Sequence, residues 1–86
     1  MRAHEMRLFS SDEIIAALQR GGFKQARTSK GSHATFKRRR PDGTHDVTVV
    51  LLGQKEVPKG TLDSILKLAN IDYEEFLDWA KVKRRS

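Results

Sequence analysis

The chain has 86 residues, 17 Lys or Arg against 11 Asp or Glu, a formal net charge of +6, and 37% hydrophobic residues. That length holds one small domain whose core is thin, since such chains bury only roughly 60–65% of their unfolded surface; it excludes a two-domain enzyme and a deep enclosed pocket. There is no cysteine, which excludes disulfide frameworks, cysteine–zinc sites and thiol nucleophiles.

Met1 to Arg7 mixes His, Glu and Arg, and no apolar stretch follows it. The pattern is not that of a signal peptide. Ser10 followed by Glu13 is a capping-box spacing. Behind it Ile14, Ile15, Ala17 and Leu18 recur at helical intervals, and Gly21-Gly22 stops the run. The spacing predicts a helix over 11–20. Phe23 to Thr28 reads as a first strand with a weak pattern. Ser29 to Ser32 has turn composition. From His33 to Arg39 the side chains alternate, with Ala34 and Phe36 on one face and His33, Thr35 and Lys37 on the other.

Pro41-Asp42-Gly43 is a turn signal. Val47 to Leu52 is β-branched and apolar, so it reads as a strand; it is far too short to span a bilayer. The runs on either side of the turn should pair as an antiparallel hairpin. Gly53 to Gly60 reads as a polar loop. Leu62, Ile65, Leu66 and Ala69 form a helical stripe that Asn70 should end. Asp72 followed by Glu75 repeats the capping-box spacing, and Phe76, Leu77 and Trp79 continue a short last helix. The order α-β-β-β-α(-α) predicts an α+β domain, a small antiparallel sheet with helices on one face. The expected organisation is a single domain over 1–86, with an extension at 1–9, a folded unit at 10–80 and a basic tail at 81–86. A cytoplasmic protein that does not enter a membrane is the expectation.

The charge is local. No acidic residue lies between Glu13 and Asp42, whereas Arg20, Lys24, Arg27, Lys30, Lys37, Arg38, Arg39 and Arg40 do. Such asymmetry favours a polyanionic partner, nucleic acid first. The cations at Lys81, Lys83, Arg84 and Arg85 read as a solvated tail.

Of the three histidines, none pairs with another at metal-ligand spacing and no carboxylate cluster accompanies them, so neither a metal nor another cofactor is expected. His4 falls in the terminus, and His45 reads as a surface residue beside the hairpin turn. His33 follows Gly31-Ser32, opens a strand opposite in phase to Phe36, and sits inside the acid-free basic stretch. Imidazole titrates near neutrality, which suits proton transfer on an RNA 2′-hydroxyl or a leaving oxygen. One exposed histidine alone is more often a bystander than a catalyst. Gly31-Ser32 is either an ordinary turn or a loop whose amides approach a phosphate. No G-x-x-x-x-G-K-[ST] loop occurs, so a nucleotide-hydrolysing enzyme has no support.

Four segments resemble one family in order and spacing. They are Gly22-Phe23, Lys30-Gly31-Ser32-His33, Pro41-Asp42-Gly43, and Lys55 to Leu66 with its Lys-Gly-Thr-Leu-x-Ser-Ile-Leu core. The chain resembles the HicA (YcfA-like) toxins of bacterial toxin–antitoxin pairs over roughly 10–77. The resemblance implies a double-stranded-RNA-binding-domain-like fold and a ribosome-independent mRNA interferase. It implies an essential histidine at His33 and a HicB-like antitoxin as partner. Many relatives carry Pro-x-His before the loop glycine of the third strand. Here Val50-Leu51-Leu52 precede Gly53, so the implied catalysis falls on His33 alone.

Lys30, Ser32, Lys37 and Arg38 are the candidate phosphate-binding residues around His33. Lys37 shares the His33 strand face, and Arg38 should point the other way unless the strand bulges. Two rival classes have the same charge. One is a non-catalytic RNA-binding module; the other uses the basic face chiefly to dock an acidic antitoxin. The first rival lacks the lysine cluster such modules carry at the final long helix, where Asp63 lies between Lys59 and Lys67.

Overall fold

The Ser10–Glu13 spacing forms the reciprocal cap it predicts. The Ser10 hydroxyl accepts the Glu13 N–H at 3.1 Å, and the Glu13 carboxylate accepts the Ser10 N–H at 2.9 Å. This nucleates α1 (Ser11–Arg20). The computed structural model describes residues 8–28 and 31–81. After α1 come β1 (Lys24–Thr28), β2 (His33–Arg39), β3 (His45–Leu51), α2 (Lys59–Ala69) and α3 (Tyr73–Ala80). The class is α+β in the expected order. No helix among the described residues is long and apolar enough to cross a membrane.

Element ends differ from expectation for local reasons. Phe23 is not in β1: its N–H bonds the Leu18 carbonyl at 2.9 Å, closing the end of α1, and its ring is buried. β3 starts two residues earlier than expected, because the ladder continues to Arg39↔His45. α2 also starts early, at Lys59. Pro58, with φ −57°, precedes it and has no N–H to satisfy. The expected polar loop before it contains one core residue, Val57, 2% exposed. The Asp72 carboxylate accepts the Glu75 N–H at 2.8 Å to cap α3, but the reciprocal arm expected from Glu75 does not form. Asn70 ends α2 in the left-handed region at φ 61°, as its side chain allows.

The sheet is an antiparallel meander in the order β1-β2-β3. In the central register Ala34 faces Val50, Phe36 faces Thr48 and Arg38 faces Asp46. These inner positions carry the core, and Ala34, Phe36 and Val50 are fully buried. Burial of a side chain the size of Phe36 contributes about 1.5–3 kcal/mol. The Thr48 hydroxyl donates to the Ile65 carbonyl at 2.8 Å, tying β3 to α2. α2 packs chiefly on β3, and α3 chiefly on α1. All three helices lie on the inner side, so the outer face of the sheet is uncovered among the described residues.

Phe9 belongs to this unit although it was counted with the N-terminal extension. It bridges Val57 through a 2.8 Å bond from the Val57 N–H, and its ring meets Phe76 edge-on at 5.0 Å. The folded unit therefore takes in at least one residue before Ser10. Gly21 is also fixed by packing: a Cβ there would come within 2.4 Å of the Trp79 ring. Lys81 closes α3 at φ 62°, and the rest of the basic tail lies outside the described residues.

Candidate functional site

Strand alternation sorts the chemistry of the molecule into two faces. The outer face carries His33, Thr35, Lys37 and Arg39 from β2. Their cross-strand neighbours Leu51, Val49, Val47 and His45 come from β3, because directly opposed residues point to the same side. Lys24 of β1 is opposite Lys37 and joins this face. No outer position carries a carboxylate. Asp46, the one acid in the three strands, points inward.

His33 is exposed at the first position of β2. Gly31 precedes it at φ 54°, a conformation that favours glycine, so the chain turns sharply into the strand. The Ser32 carbonyl accepts the Leu52 N–H at 2.6 Å. That bond locks the turn to the end of β3 and leaves the Ser32 and His33 side chains at the surface. Leu52, where relatives often have histidine, is partly buried against the core and offers no polar group. Below this corner, the buried Ser11 hydroxyl donates to the Leu51 carbonyl at 2.6 Å and accepts the Gln54 N–H at 3.0 Å. The start of α1 thus anchors the strand end opposite His33.

Lys37 is exposed on the same face as His33, four residues along; at about 3.3 Å per residue, that is about 13 Å. Arg38 is not with them. It points inward at the edge of the sheet, over the Phe23 ring at 4.7 Å and the Trp79 ring at 5.6 Å. It donates to the Gly21 carbonyl at 3.3 Å and to Asp46 at 2.9 Å. Its guanidinium is committed to holding the sheet against the α1–α3 junction. Lys30 lies outside the described residues. The structure therefore puts His33 and Lys37 on one face, leaves Ser32 exposed in the turn that leads to His33, and separates Arg38 from them.

Asp46 is the electrostatic centre of the inner edge. Its side chain is 2% exposed and pairs with both Arg38 and Arg40. Arg40 Nε donates to it at 2.7 Å, and Arg40 Nη2 is also bonded to it. These bonds from Arg40 hold the Asp46 carboxyl below its ordinary 3.8, against the opposing effect of burial, and Arg38 acts in the same direction. At the hairpin turn, Asp42 accepts the Thr44 hydroxyl at 2.6 Å and the Thr44 N–H at 2.9 Å. Those bonds lower its carboxyl below the ordinary value.

Three further residues of the outer face add to those that spacing picks out. Lys24, Arg39 and His45 line a shallow depression with Lys37 at the hairpin end of the sheet. The phase of β2 alone places Arg39 beside Lys37. Lys24 joins only through a register that shifts between Gln25 and Thr28, which no sequence pattern announces. Among the described residues, no group of three or more His, Asp or Glu could hold a metal ion.

Fold and surface together define a small α+β domain that presents a carboxylate-free, cationic sheet face beside one exposed histidine. A family model described as the HicA toxin of bacterial toxin–antitoxin systems matches residues 11–71, well over half of the chain. The chain belongs to the HicA toxin family: it is a toxin of a toxin–antitoxin pair, and its family implies an antitoxin partner. No curated protein matches it.

Proposed function

We propose that the chain is an mRNA interferase that cleaves RNA by metal-independent general acid–base catalysis through His33. The observation that carries the reading is the position of His33, exposed on the carboxylate-free face of a chain in this toxin family. The chemistry asks for little more than a proton carrier and a cationic surface. The RNA 2′-oxygen attacks the adjacent phosphorus, the bond from phosphorus to the 5′-oxygen breaks, and a 2′,3′-cyclic phosphate and a 5′-hydroxyl result. His33 takes the proton from the 2′-hydroxyl or gives one to the leaving 5′-oxygen, and water carries the other of these two protons. Ser32 and Lys30, on the approach to His33, bind the scissile phosphate and offset the charge that develops on it, and Lys37 holds the RNA backbone further along the same strand face. Arg38 has no part in this step, being turned to Asp46 on the other side. A HicB-like antitoxin is the partner, and it silences the toxin by covering this face.

The purified chain, incubated with mixed-sequence RNA and excess EDTA, should yield fragments ending in 2′,3′-cyclic phosphate. Binding without cleavage would overturn the catalytic reading in favour of a non-catalytic RNA-binding module. Cleavage abolished by EDTA and restored by a divalent cation would overturn metal independence.

A further inference from the structure

The depression at the hairpin end of the outer face is distinct from the His33 corner and has its own composition. Lys24 stands directly opposite Lys37, and Arg39 directly opposite His45. All four are exposed. Among the described residues, none of the four takes part in an ion pair or a side-chain hydrogen bond. Like charges directly opposed across strands destabilise a sheet, so the Lys24–Lys37 pair is a cost to the folded protein that its own side chains do not offset. The nearest acids are engaged elsewhere, Asp46 on the inner side and Asp42 with Thr44. The depression is also lined by Gly22, at φ 99°, and by Ala26. Small residues there let an anion approach the cations closely.

The second observation concerns what the face lacks. The chain has four Phe, one Tyr and one Trp. Phe9, Phe23, Phe36 and Phe76 are buried, while Tyr73 and Trp79 belong to α3 on the helical side. No Phe, Tyr or Trp ring is on the outer face. Proteins that read single-stranded RNA through its bases stack those bases on aromatic side chains. A face of Lys, Arg, His and Val is built chiefly to grip phosphates, with imidazole and guanidinium planes as its only stacking surfaces.

We propose that Lys24, Lys37, Arg39 and His45 form a second phosphate subsite. It holds the RNA backbone about 13–20 Å from His33, by the strand rise over four to six residues. Substrate is then retained chiefly by its backbone. This rests on RNA being the substrate. A phosphate held here is not the one cleaved; it belongs to a neighbouring nucleotide, and it fixes the strand so that the scissile phosphate reaches His33.

The test is fluorescence-anisotropy titration of a labelled mixed-sequence 20-nucleotide RNA, between 50 and 200 mM KCl, roughly the range over which phosphate contacts dominate salt dependence. His33→Ala protein is used, so that the RNA stays intact. Lys24→Gln/Arg39→Gln in that background should reduce the slope of log affinity against log salt by about 1.4, about 0.7 for each phosphate contact removed from a single strand. Lys67→Gln, which removes one charge from the exposed side of α2, serves as the comparison and should leave the slope unchanged. An unchanged slope in the double variant, or an equal loss with Lys67→Gln, would overturn the subsite. Failure of the parent reading looks different: protein with intact His33 would then leave RNA uncut, whatever the slopes show.

Discussion

His33→Ala should reduce RNA cleavage by about a hundred- to ten-thousand-fold, the usual contribution of a single positioned acid–base group. The loss should appear in the rate at saturating RNA, because His33 is one of several polar groups on the face and the cations supply most of the binding. The side chain is exposed and takes no part in the core, so the variant should fold with unchanged thermal stability. That separation between activity and stability makes the measurement informative. His33→Ala protein that cleaves as well as the parent would remove His33 from the mechanism. In cells, the same variant should no longer arrest growth when expressed without its antitoxin.

Asp46→Asn should destabilise the domain by about 2–3 kcal/mol in urea unfolding at pH 7. The carboxylate is almost fully buried and takes hydrogen bonds from two guanidiniums. Asparagine fills the same space, but it removes the charge and turns an N–H₂ group toward donors. Solvent reaches Arg40, whose side chain is 40% exposed, so the cost falls below the 3–5 kcal/mol of breaking a fully buried pair. The pH dependence has a defined sign. The folded-state pKa of Asp46 is depressed, so its stabilisation is complete above the ordinary carboxyl value of 3.8 and is lost as pH falls through the lower folded value. The difference between parent and Asp46→Asn should therefore be constant from pH 5 to 7, and should shrink below about pH 4. A difference that grows as pH falls would contradict this role.

Elements with strong periodicity were readable from the residues alone. The Ser10–Glu13 cap, the Ile14–Leu18 stripe and Gly21-Gly22 locate α1 at its observed ends. Alternation from His33 to Arg39 does the same for β2. What was not readable depends on pairing between distant segments. Phe9 and Val57 look like members of a tail and a loop until the two strands of chain meet. β1 has no clear pattern because it is an edge strand with an irregular register.

The same division holds for the surface. The phase of β2 places His33 and Lys37 together and sends Arg38 to the other side. The partners of Arg38 (Gly21 and Phe23, Asp46, and Trp79) come from three separate segments and cannot be assembled from spacing. The Lys24–Lys37 apposition likewise appears only once register is known. The excess of positive charge that first suggests a polyanion thus divides into two uses. Arg38 and Arg40 hold the fold through Asp46, and Lys24, Lys37 and Arg39 remain on the outer face.

In the proposed reading RNA lies on the uncovered face of the sheet, across His33. Its most direct test is to titrate uncut RNA into isotope-labelled His33→Ala protein and follow the backbone amide resonances. Shifts should concentrate in β1, β2 and β3 at Lys24, Thr35, Lys37, Arg39, His45 and Val49, while exposed residues of α2, such as Lys67 and Leu68, stay in place. Shifts confined to α2 and α3, with the outer strand residues unmoved, would contradict it.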